Sequence, residues 1–284
     1  MPADRGRPMW IDGRILRGRE AAISLFDRGA RDGEGLFETV RFEGGRAQFW
    51  KLHLERLVLS AAELGFPVPP SPAKLAAACQ ELLAGEELSD AVVRITVTRG
   101  VPGGRPTRSG CWIEAEPLAA RLWRGTRAGA ARAVISRTPF HPGSLGRHKT
   151  TSRLAYHLAR EEARAAGADE ALLVGESGEL FEGTVSNVFA VVQGELVTPP
   201  LACGILPGIA RAVVLEACRA IDIRAREAPL AIVDLAGAEE VLLTNCVQQL
   251  VPLASLEEGR FGAPRLAPRL LAEFRSVAAA SAGD

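Results

Sequence analysis

Lysine is nearly missing from this chain. Only Lys51, Lys74 and Lys149 occur among 34 basic residues, and arginine fills every other basic position. An excess of either charge is missing too: 34 basic residues balance 34 acidic ones, so the footprint of a nucleic-acid binder is absent and no nucleic-acid partner is expected. No apolar run approaches a membrane span, and the opening residues MPADRGRPMWIDGR hold no apolar core of signal-peptide length. A soluble cytoplasmic protein without a membrane partner is therefore expected. The five cysteines, Cys79, Cys111, Cys203, Cys218 and Cys246, are odd in number and form no CxxC pair, which argues against a disulfide framework and against a metal site. No GxGxxG opens a βαβ unit and no GxxxxGK[ST] loop occurs, so dinucleotide and P-loop readings lose their support.

What is present is an alternation of short strands and helices. WIDGRI and FETVRFEGGRAQFW read as strands, the second folded into a hairpin at Gly44-Gly45. KLHLERLVLSAAELG sets Leu54, Leu57, Val58, Ala61 and Ala62 at helical spacing, and Pro67, Pro69 and Pro70 end it. SPAKLAAACQELLAG is a second helix, with Ser71 as N-cap and Pro72 in its first turn. Strands AVVRITVTRG and SGCWIEAEPL follow, joined by the Gly/Pro-rich VPGGRPTR, a loop of binding character. Apolar periodicity lapses between about Glu116 and Arg132. This divides the chain into a smaller domain over 1–118, a linker over 119–131 and a larger domain over 132–284. The second part reads as strand ARAVISR, helix from about Ser152 to Ala166, strand EALLV, turn GESGE, strand NVFAVV, helix IARAVVLEACRA, strand EEVLLTN and a C-terminal helix. The fold class is α/β (α+β) with antiparallel hairpins.

One of the three lysines, Lys149, stands just before a helical pattern, beside Arg147 and His148. An amine near positive charge or out of water loses basicity and can attack a carbonyl, whereas a lysine at a helix start is more often a solvated surface residue. Three further segments decide between these. Glu182, in EGTVSNVF, can pair with a protonated pyridine nitrogen, though a lone glutamate is more often a turn residue. Pro207-Gly208 opens a helix whose N–H groups at Ile209 and Ala210 can hold a phosphate, though many helices begin with proline. Arg56, in HLERL, can add a charge-assisted bond to that phosphate, though an arginine on an amphipathic helix is usually solvated.

The order DRGxxxGEGLFET, HLERL, HKTTSRL, EGTVSN, LPGxxR and TN before a hydrophobic strand resembles the fold-type IV pyridoxal-phosphate enzymes, the class IV aminotransferase superfamily, from about Met9 to Pro252. The resemblance implies a two-domain fold with pyridoxal 5'-phosphate at the domain interface, a small-molecule amino substrate and a homodimer. It implies that Lys149 carries the cofactor as a Schiff base and moves the substrate's α-proton. Glu182 then faces the pyridine nitrogen, and Arg56 with the backbone of Ile209 and Ala210 holds the phosphate. Arginine cannot replace Lys149 in this role, because a guanidinium stays protonated.

Motif details resemble 4-amino-4-deoxychorismate lyase: Phe37-Glu38-Thr39, Leu206-Pro207-Gly208 and Thr244-Asn245. That reading implies release of pyruvate and 4-aminobenzoate, a folate precursor. An aminotransferase acting on D-amino acids, branched-chain amino acids or an amine is the alternative, and a non-catalytic relative the third. Asp32, Arg105 in the GGRP loop and Asn245 are the candidates for the substrate, and Asn245 with Cys246 also for the cofactor. Three positions depart from the family pattern. Asp32 replaces an aromatic on the substrate side, Cys246 replaces a hydroxyl that meets the phosphate, and Ala210 replaces a frequent threonine.

Overall fold

A computed structural model describes residues 6–103 and 110–282, and the chain folds into two compact units. The first comprises residues 1–121 with 148–152 and 281–284, and the second comprises 122–147 with 153–280. Lys149 thus belongs to the first unit by its packing, and that unit's main segment ends at Arg121, inside the span read as linker.

In the first unit, β1 (Pro8–Ile11), β2 (Arg14–Arg17), β3 (Gly35–Glu43), β4 (Arg46–Ala47), β5 (Ala91–Thr98) and β6 (Cys111–Pro117) form one antiparallel sheet in the order β2-β1-β6-β5-β3-β4. Helices α1 (Arg28–Asp32), α2 (Trp50–Glu63), α3 (Pro72–Gly85) and α4 (Leu118–Arg121) accompany it. Side chains alternate across a strand. One face of β3, with Leu36, Val40 and Phe42, therefore meets Val93, Ile95 and Val97 of β5 in a core shared with Leu54, Leu57 and Ala61 of α2 and Leu75 and Leu82 of α3.

Two expectations change here. The hairpin's second strand stops at Ala47 rather than running to Trp50, because Phe49 adopts a left-handed conformation at φ 55° and starts α2. Val58 and Ala62 lie outside the buried stripe: His53, Leu54, Leu57, Ser60 and Ala61 face inward, and Val58 stays 48% exposed.

The second unit begins with α5 (Arg124–Ala128) and builds a nine-stranded sheet. Its strands are β7 (Ala131–Ile135), β8 (Glu170–Val174), β9 (Leu180–Gly183), β10 (Asn187–Val192), β11 (Glu195–Thr198), β12 (Ala225–Glu227), β13 (Glu240–Asn245), β14 (Gln249–Leu256) and β15 (Gly259–Arg260). The order is β12-β11-β10-β13-β14-β7-β8-β9, with β15 on β14. Pairs β11/β12, β14/β7 and β7/β8 are parallel and the others antiparallel. One face buries Leu172, Val188, Val197, Val241 and Leu253 in a common core. Strands β8, β10 and β13 are buried nearly throughout, as strands covered on both faces are.

Helices α6 (Leu154–Ala165), α7 (Ile209–Ala220) and α8 (Ala267–Ser281) complete the unit. Tyr156, Ala159 and Ala163 form the buried stripe of α6 against Ala171, Leu173 and Phe181. The four-residue β9 is absent from the sequence reading, which took GESGE as the whole connection to NVFAVV. Its brevity and the glutamate within it hide the strand pattern. No helix among the described residues is long and apolar enough to cross a membrane.

Phe189 is fully buried at the centre of β10. Phe189→Ala is expected to cost ~3–5 kcal/mol in urea unfolding, through lost transfer energy and the cavity left behind. Val185→Ala, at a position 44% exposed, is expected to change stability by less than about 0.5 kcal/mol.

Candidate active site

In the first unit the candidate residues are organised by two consecutive residues of β3. Phe37 donates its backbone N–H to the carbonyl of Lys149 at 2.9 Å, and Leu36 forms an isolated antiparallel bridge with Thr150. Thr151 donates its N–H to Gly35 O at 2.8 Å, and the hydroxyls of Thr151 and Ser152 both donate to Gly33 O at 2.9 Å. The HKTTS stretch is thereby laid along the start of β3. Lys149 is not carried by a helix, as its place before a helical pattern suggested: α6 begins only at Leu154, and the lysine is fixed by strand-like bonds to β3. Its Nζ lies 4.6 Å from the centroid of the Phe37 ring, where the π face favours a cation. His148 turns away toward α2, with Nδ1 3.1 Å from Ser60 Oγ and Nε2 3.6 Å from Glu63.

The next residue, Glu38, points to the opposite face of β3 and is fully buried. Arg56 grips it with two donors, Nε to Oε1 and Nη2 to Oε2, both at 2.7 Å. His53, one turn earlier on α2, brings Nδ1 to 2.7 Å from Glu38 Oε2. Burial alone pushes the carboxyl's pKa up, but Arg56 and His53 outweigh it and hold it at about 2. A planar, two-point grip fixes the orientation of the guanidinium as well as its charge.

Arg94 was not found from the sequence. It pairs with Thr39 across the β3–β5 ladder, on the Phe37 side of the sheet, and its guanidinium carbon lies 3.7 Å from the Phe37 ring centroid. The signal that marks it is the one charge in the β-branched, otherwise uncharged β5 sequence AVVRITVT. Asp32 is exposed at the C-terminal end of α1, with Arg28 Nε 4.0 Å away. Arg105 falls outside the described residues.

In the second unit Glu182 lies within β9 and is buried at 3% exposure. Tyr156 OH donates to its Oε1 at 3.2 Å, while Leu206 N–H at 3.2 Å and Asn187 Nδ2 at 3.4 Å donate to its Oε2. These three donors satisfy oxygens that burial takes out of water. Tyr156 is correspondingly hard to ionise, its pKa raised by burial and then by the Glu182 charge.

Asn187 Nδ2 also donates to Leu206 O at 3.0 Å, which anchors the strand to the approach of α7. Gly208 caps α7 and offers no side chain to its first turn, where Ile209 and Ala210 are buried. A Cβ at Gly208 would lie 1.9 Å from Asn187 Oδ1, so any larger residue would have to displace the Asn187 side chain. Thr244, paired with Asn187 across β10 and β13, buries its hydroxyl without a hydrogen-bond partner among the described residues. Asn245 uses its Oδ1 to accept the N–H groups of Val247 at 2.9 Å and Gln248 at 2.7 Å, building the turn that carries the half-buried thiol of Cys246.

The groups of the second unit fit pyridoxal phosphate: a buried carboxylate suits the ring nitrogen, a helix start without a side-chain cap suits a phosphate, and an orphaned Thr244 hydroxyl beside Asn187 awaits a polar partner. In the first unit, taken by itself, a primary amine of the kind an aldehyde captures stands over an aromatic ring. Among the described residues no group of three or more metal-ligating side chains occurs.

The model of the amino-transferase class IV family matches residues 35–256, and the chain belongs to that family. It is 32% identical over 260 residues to a putative branched-chain-amino-acid aminotransferase of Methanocaldococcus jannaschii, covering 88% of each chain. To the D-alanine aminotransferase of Bacillus licheniformis it is 28% identical over 254 residues, covering 89% of each. Among solved structures it resembles the branched-chain aminotransferase of the thermophilic archaeon Thermoproteus uzoniensis with norvaline, at a TM-score of 0.84 and 25% identity over 97% of this chain and 95% of the other.

Glu38 has a folded pKa below its ordinary value of 4.5, so its contribution to stability is complete above about pH 4.5 and lost as the pH falls toward 2. The expected contribution is ~3 kcal/mol. Urea unfolding at pH 7 and pH 3 is expected to show a smaller drop in stability for Glu38→Gln than for the native chain, because the variant has already lost this term.

Proposed function

We propose that this chain is a pyridoxal-phosphate-dependent aminotransferase that moves the amino group of a small amino acid onto a keto-acid acceptor. The observation that carries the reading is the buried carboxylate of Glu182, held by Tyr156, Asn187 and Leu206 at the approach to α7. When bound, the cofactor supplies an aldehyde that captures amines and a ring that accepts electrons from the bond broken beside it.

Lys149 provides the primary amine and moves the proton at the substrate's α-carbon. Glu182 keeps a proton on the ring nitrogen. The N–H groups of Ile209 and Ala210, with the α7 dipole, take the phosphate, and Arg56 adds its guanidinium, oriented by Glu38. Asn245 and Cys246 border the cofactor from the end of β13, and the Thr244 hydroxyl gains a partner there. Arg94 and Arg105 are assigned to substrate carboxylates, and Asp32 to the choice of substrate. The working form is a homodimer. Leu25 and Phe26, 83% and 67% exposed, supply an apolar patch of the kind a second copy covers.

The lyase reading, first on motif details, gives way to the aminotransferase. The relatives that share 26% to 32% identity along most of the chain carry branched-chain and D-alanine aminotransferase names. The lyase remains the second reading, favoured by Phe37-Glu38-Thr39 and Thr244-Asn245.

Acceptor dependence separates the two. With purified, cofactor-loaded protein, amino acids from the branched-chain series and D-alanine are expected to turn over only when a keto acid is added. Lys149→Ala is expected to lower that rate at least about a hundredfold. Pyruvate and 4-aminobenzoate formed from aminodeoxychorismate without any acceptor would overturn the aminotransferase in favour of the lyase.

A further inference from the structure

The residues between Glu182 and Asn187 are directed at one carboxylate that the proposed reaction does not use. Glu170, the first residue of β8, has no exposed surface. Its Oε1 accepts the Thr184 N–H at 3.1 Å and the Thr184 hydroxyl, and its Oε2 accepts the Val185 N–H at 3.1 Å and the Ser186 hydroxyl at 2.8 Å. The Ala171 N–H at 3.0 Å and Arg160 Nη1 at 3.4 Å also address Oε1. Gly183 completes the fit: a Cβ there would lie 2.3 Å from Ser186 Oγ and 2.9 Å from Glu170 Oε2. The glycine, threonine and serine of EGTVSN are thus accounted for by the need to wrap Glu170.

This turn joins β9 to β10 and is closed by Gly183 N–H to Ser186 O at 2.7 Å, while Arg153 Nη2 donates to Thr184 O at 3.1 Å. Glu182 and Asn187 are its two flanks, and their mutual bond of 3.4 Å depends on the path between them. We propose that Glu170 is a positioning residue. By gathering the N–H and hydroxyl donors of Thr184, Val185 and Ser186, it fixes the direction of the Glu182 carboxylate and so the protonation of the cofactor ring nitrogen. The inference rests on the assignment of Glu182 to that nitrogen.

Glutamine at this position keeps the shape but turns an NH2 group toward N–H and O–H donors, so one side of the set loses its acceptor. Three readouts test the proposal: the 15N chemical shift of ring-labelled pyridoxal phosphate bound to the protein, its Kd, and thermal unfolding. Glu182→Gln is expected to move the shift to the value of an unprotonated ring, and if it leaves the shift unchanged the assignment of Glu182 fails, and the inference with it. Given that response, Glu170→Gln is expected to move the shift part of the way and weaken cofactor binding by about tenfold or more, the size usual for a residue that orients a ligand-binding group. In the double variant, Glu170→Gln is expected to add nothing to the loss from Glu182→Gln.

A native shift in Glu170→Gln, or a fully additive double variant, would overturn the proposal while leaving the Glu182 assignment intact. Should Glu170→Gln fail to fold, Ser186→Ala removes a single donor from the same carboxylate. It is expected to move the shift in the same direction by less, and a native shift there would count against the proposal equally.

Discussion

The bond from Phe37 N–H to the carbonyl of Lys149 is the constraint on which the arrangement of the first unit's candidate residues depends. It fixes a residue more than a hundred positions away in sequence against the start of a central strand. The alternation of β3 does the rest. Phe37 turns its ring toward the lysine amine, and Glu38, on the opposite face, holds Arg56 with two donors. Two adjacent residues thus determine where an amine and a guanidinium stand. The cost of burying the Glu38 charge is met by Arg56 and His53, which is why its carboxyl stays ionised in a core otherwise made of leucine, valine and phenylalanine.

The second unit follows a related plan with neutral donors. Glu182 accepts bonds from a phenol, a carboxamide and a backbone N–H. The same short stretch leads through Asn187 to Leu206 and the start of α7, and a side chain at residue 208 would meet the Asn187 carboxamide where it stands. The proposed partner of the ring nitrogen and the helix start proposed for the phosphate are therefore joined in one local structure. The family membership shown by the match over residues 35–256 agrees with this organisation.

Much of the architecture was legible in the sequence where local signals were strong. Ser71 and Pro72 start α3 as their chemistry demands, IARAVVLEACRA is α7 residue for residue, and the helical stripe of α2 was readable except at Val58 and Ala62. What the sequence hid is long-range. Nothing near Lys149 reveals that β3 rather than α6 holds it, because the bond partners lie in the DGEGLF stretch. Glu38 was legible only as part of the Phe37-Glu38-Thr39 motif and Arg94 not at all, because the meaning of each comes from which face of the sheet it occupies and what crosses it. Asn245 was read as a cofactor or substrate contact, and the structure gives its carbonyl oxygen a turn to build as well.

The scarcity of lysine makes the most direct test unusually clean. Borohydride reduction of the cofactor-loaded protein, followed by digestion and mass spectrometry, can place the reduced pyridoxyl label on Lys51, Lys74 or Lys149 and on no other lysine side chain. The account predicts label on the peptide containing Lys149 alone. Label on Lys51 or Lys74, or a loaded protein that acquires none, would contradict it.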